Sequence, residues 1–296
     1  MVALLPVNLA DEVKQFARAS RAPNTLLAYR SDAKIFAAWC QSRGYDALPS
    51  APGIVCGFLA DQARTCSAAT IGRRLAAIVH LHKAAGLPSP IDDSVHAVMA
   101  GIRRTLGTAP KPRAPLVADA IKQIIDAMAE GPRAIRDRAL ILLGWSGALR
   151  RSELATLEVA DISETADGLL ITIRHSKGDK DSHGQQIAIA KATQSRYDAA
   201  DALKAWLDAS GKREGRIFEL SPYGISLIVQ RRARAVGITT QIAAHSLRSG
   251  ALTTAAQNGA SIPKMLELSR HRDVKTLQQY WHKTAIFKDH ALKGAL

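Results

Sequence analysis

The chain has 296 residues with a hydrophobic fraction of 47%, enough for one large domain or two ordinary ones around a real core. Its 40 Lys+Arg against 26 Asp+Glu give a net charge of +14 and a pI near 10.0, an excess that concentrates polyanions at the surface and makes nucleic acid the leading partner class. Cys40, Cys56 and Cys66 show no CxxC spacing, against a disulfide framework or zinc knuckle, and the short apolar run in Met1–Ala10 is broken by Pro6 without a basic leader. No membrane role and a cytoplasmic location are therefore expected.

Helical patterning begins at Asn24, a candidate N-cap for a helix presenting Leu27, Tyr29, Ile35, Phe36 and Trp39 to a largely buried surface. Further helices are predicted over Pro52–Arg64, Ala68–Ala85 and Asp92–Leu106, the last opened by two acids that suit a helix N-terminus. The stretch Gly107-Thr-Ala-Pro-Lys-Pro-Arg-Ala-Pro115 carries three prolines and reads as an extended connector. Residues 1–106 are thus expected to form a small helical domain, 107–115 a linker and 116–296 a second domain. Residues 1–114 hold 14 Lys+Arg against 7 Asp+Glu and the remainder 26 against 19, so each part carries +7. That balance fits a protein gripping its partner with two surfaces.

Beyond the linker the pattern is helical again until Gly168-Leu-Leu-Ile-Thr-Ile-Arg174 and Gln185-Gln-Ile-Ala-Ile-Ala190. These two β-favouring runs, joined by Lys, Gly, Asp, Ser and His, predict an antiparallel hairpin set among helices. Helices are expected over Ser195–Ser210, Tyr223–Val236, His245–Asn258, Ile262–Leu268 and Val274–Trp281, with Gly237 and Gly259 as stops. The predicted fold class is mainly α in two domains: an N-terminal helical bundle, then a mixed α+β domain with a small antiparallel sheet.

Five local features carry possible chemistry, and each has an ordinary structural reading when taken singly. Leu149-Arg150-Arg151-Ser152-Glu153-Leu154 could be a surface helix start with an i, i+3 ion pair. Ser176-Lys177-Gly178-Asp179-Lys180 could be a solvated hairpin tip. His245-Ser246-Leu247-Arg248 places imidazole and guanidinium on one helical face near an N-terminus, a geometry suited to an anion. A lone His271 is more often a satisfied polar group, and the aromatic pair Tyr280-Trp281 more often core.

Together, in this order and spacing over residues 115–282, the five resemble the tyrosine recombinase, or phage integrase, family. Gly147-Ala-Leu-Arg-Arg-Ser-Glu-Leu154, Lys177, His245-Ser-Leu-Arg248 and His271 through Tyr280 fall on its signature positions. The amino-terminal part is similar to the family's helical, SAM-like core-binding domain. There Gly86-Leu-Pro-Ser-Pro-Ile-Asp-Asp93 and Val98-Met-Ala-Gly-Ile-Arg-Arg104 look Cre-like. The resemblance implies a site-specific DNA recombinase working through a 3′-phosphotyrosine intermediate, with no metal and no nucleotide cofactor. The chain agrees in having no GxxxxGK[ST] loop, no HExxH and no carboxylate cluster at metal-binding spacing.

A phosphodiester repels nucleophiles, so its non-bridging oxygens must be neutralised. Guanidinium forks suit that task, and Arg150 and Arg248 form the expected clamp. Arg150 is preferred to Arg151 because the family places Glu three positions after its arginine, here Glu153, which is expected to orient its neighbours. A free phenol has a pKa of about 10, so Tyr280 needs a base or a cationic field, and His245 is the candidate base. By resemblance Lys177 is the general acid, with Lys180 as the alternative under a shifted hairpin register. His271 would hydrogen-bond the phosphate or assist the nucleophile. Arg270 departs from the family, which commonly has Gly before this His.

Arg73 and Arg74 on one predicted helix, and Arg231, Arg232 and Arg234 on another, are candidates for double-stranded DNA contact, with solvated faces as the ordinary alternative. The tail Ala285–Leu292 has apolar residues at helical spacing. By resemblance it docks on a neighbouring protomer in a tetramer on two DNA sites; the other reading is packing on its own domain. The resemblance also places the protein with bacterial nucleoid or plasmid DNA. Two rival functions share these residues: a type IB topoisomerase relaxing DNA as a monomer, and a non-cutting DNA-binding protein, for which a positioned phenol would have no use.

Overall fold

The computed structural model describes residues 23–109, 114–174, 184–271, 273, 274, 276, 277 and 280. The chain divides into two compact units, Met1–Lys111 and Pro112–Leu296. Among the described residues no helix is long and apolar enough to cross a membrane.

The first unit contains α1 (Pro23–Gln41), α2 (Pro52–Gln62), α3 (Ala68–Ala84) and α4 (Asp93–Leu106). Capping fixes two of their starts: Ser67 Oγ accepts from the Thr70 amide at 3.3 Å, and Asp92 Oδ1 from the Val95 amide at 3.1 Å, each satisfying an amide left over by the first turn. Asn24 lies inside α1 and does not cap it. The core joins Phe36, Cys40, Val55, Phe58, Leu59, Ile71, Ile78, Val95 and Met99, with Phe36 and Phe58 rings edge-to-face at 5.0 Å. Of the face expected on α1, Phe36 is fully buried, but Leu27 is 60% exposed and Ile35 37% exposed. In this bundle α1 needs only a narrow stripe.

The second unit contains α5 (Ala118–Asp126), α6 (Pro132–Ser146), α7 (Arg151–Thr156), β1 (Ile162–Thr165), β2 (Gly168–Ile173), β3 (Gln185–Ala190), α8 (Ala199–Ser210), α9 (Pro222–Ala235), α10 (His245–Gln257) and α11 (Ile262–Ser269). Helix α6 is its centre: Ala139 through Gly144 are all buried, as expected of a helix enclosed on every side. The predicted hairpin forms as β2 and β3, antiparallel, with Leu169 opposite Ile189 and Ile171 opposite Ile187. A third strand, β1, completes the order β1-β2-β3. Sequence reading missed it because Ile-Ser-Glu-Thr is short and mostly exposed. The helix expected from Ser195 begins instead at Ala199, where Asp198 accepts from the Ala200 and Asp201 amides at 2.8 and 3.0 Å.

Two close approaches bring the site together. A Cβ on Gly147 would lie 3.1 Å from Ile187 and Ile189, so the sheet's apolar face presses on the end of α6. A Cβ on Gly250 would fall 1.8 Å from the Leu116 carbonyl oxygen, so α10 can lie against that backbone only with glycine there. Leu116 donates to the Ser246 carbonyl at 3.0 Å, and its own carbonyl accepts from Trp145 Nε1 at 2.8 Å. Helices α6 and α10 are thereby fixed to one strand-like segment, and each delivers part of the site.

Candidate active site

After α6 the chain turns through Ala148, which is left-handed at φ 42°, and Arg150 then starts α7. Arg150 and Glu153 cap each other: the Arg150 amide donates to Glu153 Oε2 at 2.8 Å and its Nη1 to Oε1 at 2.6 Å. Glu153 is 4% exposed. Burial pushes its pKa up, but the charge of Arg270 and the bonds and charge from Arg150 outweigh burial and leave it below the usual glutamate value.

Helix α10 supplies His245 and, one turn on, Arg248. Arg248 is the largest fully buried side chain described, at 1% exposure. Its Nη1 donates to the Ala148 carbonyl at 2.6 Å, its Nη2 donates to the Ser269 carbonyl, and Nη2 lies 3.3 Å from His271 Nε2. Burial, with the charges of Arg150 and Arg270 beside it, pushes Arg248 down to about 9. It stays a cation at neutral pH, but one pressed against other cations in a poorly solvated place. Such a group gains unusually from an anion.

Partial burial and the charges of Arg248, Arg150 and Arg151 hold His245 below the ordinary histidine value. Burial, then Arg248, Arg150, His245 and Arg270, push His271 down to about 4. Both rings are neutral at pH 7 and can accept a proton or a hydrogen bond. Tyr280 is 8% exposed and packs with Leu252, Ala256, Met265 and Leu277. Burial raises its phenol above the ordinary value, and the Arg248 charge works in the opposite direction.

Arg150, Glu153, His245, Arg248, His271 and Tyr280 thus share one neighbourhood. Lys177 and Lys180 lie outside the described residues, as does Ala285–Leu292. Of the candidate DNA-contact arginines, Arg234 is exposed, and the other four stand against buried carboxylates. Arg73 forks onto Asp32 at 2.7 and 3.1 Å, with Arg74 3.7 Å from the same group. Arg231 and Arg232 both reach Asp137, at 2.9 and 2.7 Å. Sequence reading noted Arg270 as a departure and missed it as a member of the site. The turn before His271 does not direct this side chain toward a ligand. Arg270 folds inward at 9% exposure and ion-pairs with Glu153 at 2.9 Å. The available signal was a long cation at the end of α11, where the backbone must turn left-handed.

A helical bundle is followed by a helix-and-sheet unit in which a buried phenol lies beside clustered arginines and neutral imidazoles, an arrangement chemically able to hold a phosphate against a nucleophile. Residues 115–285 match the phage integrase family, and the chain belongs to it: it is a tyrosine-type site-specific recombinase. The chain is 36% identical to an integrase/recombinase XerD homologue of Selenomonas ruminantium, across 96% of this chain and 89% of the relative. A tyrosine recombinase XerD of Corynebacterium glutamicum is 28% identical across 92% and 91%. Among solved structures, a lambda integrase dimer bound to a COC′ core site matches with a TM-score of 0.64 at 20% identity, over 92% of this chain and 93% of that one. The Cre-like reading is a looser comparison than this Xer likeness.

Proposed function

We propose that Tyr280 is the nucleophile of this recombinase, and that Arg150 and Arg248 clamp the scissile phosphate. The phenolic oxygen forms a bond to phosphorus while the bond from phosphorus to the 5′ oxygen breaks, giving a 3′-phosphotyrosine and a 5′ hydroxyl. The phenol's proton passes to His245, which is neutral at physiological pH and so able to take it. The leaving oxygen takes a proton from Lys177, by resemblance to the family. His271 hydrogen-bonds a non-bridging oxygen, and Glu153 orients Arg150. Because the phosphotyrosyl ester retains the energy of the broken bond, a second 5′ hydroxyl reverses the step and joins new strands.

The observation that carries this reading is the buried Arg248 guanidinium, held on two backbone carbonyls with His271 at 3.3 Å and the Tyr280 phenol within its field. Residues 1–106 and 116–296 would grip duplex DNA from two surfaces joined by 107–115. Arg73, Arg74, Arg231 and Arg232 would touch its backbone, in a tetramer on two sites in the bacterial cytoplasm. The test uses nicked duplexes tiled across the DNA flanking the gene. The wild type is expected to form a covalent protein–DNA adduct that Tyr280→Phe abolishes; an adduct that persists in Tyr280→Phe removes Tyr280 from the role.

A further inference from the structure

We infer that Arg270 is a positioning residue for the recombinase reaction: it shares the Glu153 carboxylate with Arg150, so that the Arg150 guanidinium keeps its charge for the phosphate. This inference rests on the reading of Arg150 and Tyr280 given above.

Arg270 ends α11 in the left-handed conformation, φ 53°, which glycine adopts freely and arginine does not. The same residue has more polar contacts inside the protein than a surface cation would. Its Nη1 donates to the carbonyls of Gly147 at 3.2 Å and Leu268 at 3.0 Å. Its Nη2 donates to the Ala148 carbonyl at 3.2 Å and to Glu153 Oε2 at 2.9 Å. Two of these acceptors, the Gly147 and Ala148 carbonyls, lie on the turn from α6 into α7 that carries Arg150, and Glu153 lies in α7 itself. The Ala148 carbonyl is also the one Arg248 grips, so this one carbonyl on the turn accepts from two guanidinium groups.

The charges explain why a fork of this kind matters. A buried carboxylate facing only Arg150 would draw that guanidinium into a closed pair, the opposite of what a phosphate clamp needs. With Arg270 on one carboxylate oxygen at 2.9 Å and Arg150 on the other at 2.6 Å, the four groups Arg150, Arg248, Arg270 and Glu153 carry an excess of two positive charges, one more than they would carry without Arg270. A glycine at this position could make the left-handed turn but could not supply the second cation.

The experiment takes the tiled duplex that yields adduct with wild type and measures three quantities at 25 °C: single-turnover cleavage at saturating DNA, the Kd for that duplex, and the melting temperature. Arg270→Met is expected to slow cleavage by about 100-fold while Kd changes by less than about three-fold, because the clamp is miscast only at the reacting phosphate. Arg270→Met combined with Glu153→Gln, which removes the unbalanced carboxylate too, is expected to cleave at least about ten-fold faster than Arg270→Met alone. Arg270→Lys, which keeps the charge and loses the fork, should fall between wild type and Arg270→Met, and serves if Arg270→Met does not fold. A folded Arg270→Met that cleaves like wild type overturns the inference. So does a double variant that regains melting temperature without cleavage, since the arginine would then be a structural brace alone. If wild type forms no adduct on any duplex, the reading of Tyr280 fails and this inference fails with it; an intact wild-type adduct with unaffected Arg270 variants sinks this inference only.

Discussion

Two buried carboxylates in the second unit each collect arginines, and they end in different states. Asp137 is fully buried and accepts from Arg136, Arg231 and Arg232 at 2.7 to 2.9 Å. All three reach the same carboxyl group, and their own side chains are 23%, 58% and 19% exposed. Around Glu153 stand Arg150, Arg270 and Arg248, but Arg248 makes no bond to the carboxylate and is itself buried. Both clusters carry one acid against three bases. Surplus charge facing water costs little, whereas surplus charge enclosed by protein raises the energy of the cluster until an anion shares it. The same residue types therefore end with their surplus charge in water in one place and enclosed by protein in the other, and only the second is the kind of site proposed above for a phosphate.

The largest break in that contrast comes from Arg248→Lys. Lysine retains the charge but cannot fork onto the Ala148 and Ser269 carbonyls and still face a phosphate. Cleavage of the adduct-forming duplex should fall by about 1000-fold, in line with the loss of one or more preorganised donors, with a smaller change in DNA affinity. Recovery of more than a tenth of wild-type cleavage would mean that charge alone is enough at this position.

Much of this was readable beforehand, for identifiable reasons. The i, i+3 spacing of His245 and Arg248 and the Arg150–Glu153 pair are local, so helix geometry alone brings them onto one face or into one cap. The hairpin followed from the two β-favouring runs Gly168–Arg174 and Gln185–Ala190, which needs no tertiary knowledge, while its register was left open. What stayed hidden was long-range. Arg270 meets Glu153 across 117 positions of sequence, and no periodicity carries that information. The bonds of Arg73 to Asp32 and of Arg231 and Arg232 to Asp137 were hidden likewise, because the partners stand 41, 94 and 95 positions apart. Exposure of Leu27 and Ile35 was misjudged because apolar spacing shows which faces could be buried, without showing how wide the neighbouring surface is.

A middle-sized effect concerns pH. The His245 pKa lies below its ordinary value of about 6.5, so the neutral base persists into mild acid. Single-turnover cleavage at pH 6 should keep more of its pH 7.5 rate than the roughly one quarter that a base of ordinary pKa would keep. Stability moves in the same window. His271 is pushed down to about 4, so the unfolded chain binds more protons than the folded one between about 6.5 and that value. Stability is whole above the upper limit and falls as pH drops through the window. A melting scan at pH 6 must therefore show the protein folded before the rate is compared, and a three- to four-fold loss of rate in folded protein would contradict the shifted base.

A weaker effect is expected at Asp137. Arg231 is 58% exposed while paired to a fully buried carboxylate, so its charge is still felt by a polyanion passing over α9. If it neutralises one DNA phosphate, Arg231→Ala should weaken binding by a few-fold at physiological salt and lower the slope of log affinity against log salt by about 1, uniformly across sequences. Cleavage at saturating DNA should be unchanged, because the residue touches neither the Glu153 cluster nor Tyr280. Arg232, 19% exposed on the same carboxylate, supplies the control: its removal should cost more in melting temperature and less in salt dependence. An unaltered salt slope in Arg231→Ala would make Asp137 and its arginines a brace and nothing more. A fall in cleavage rate at saturation would mean that the two clusters are coupled, and that solvent access alone does not separate them.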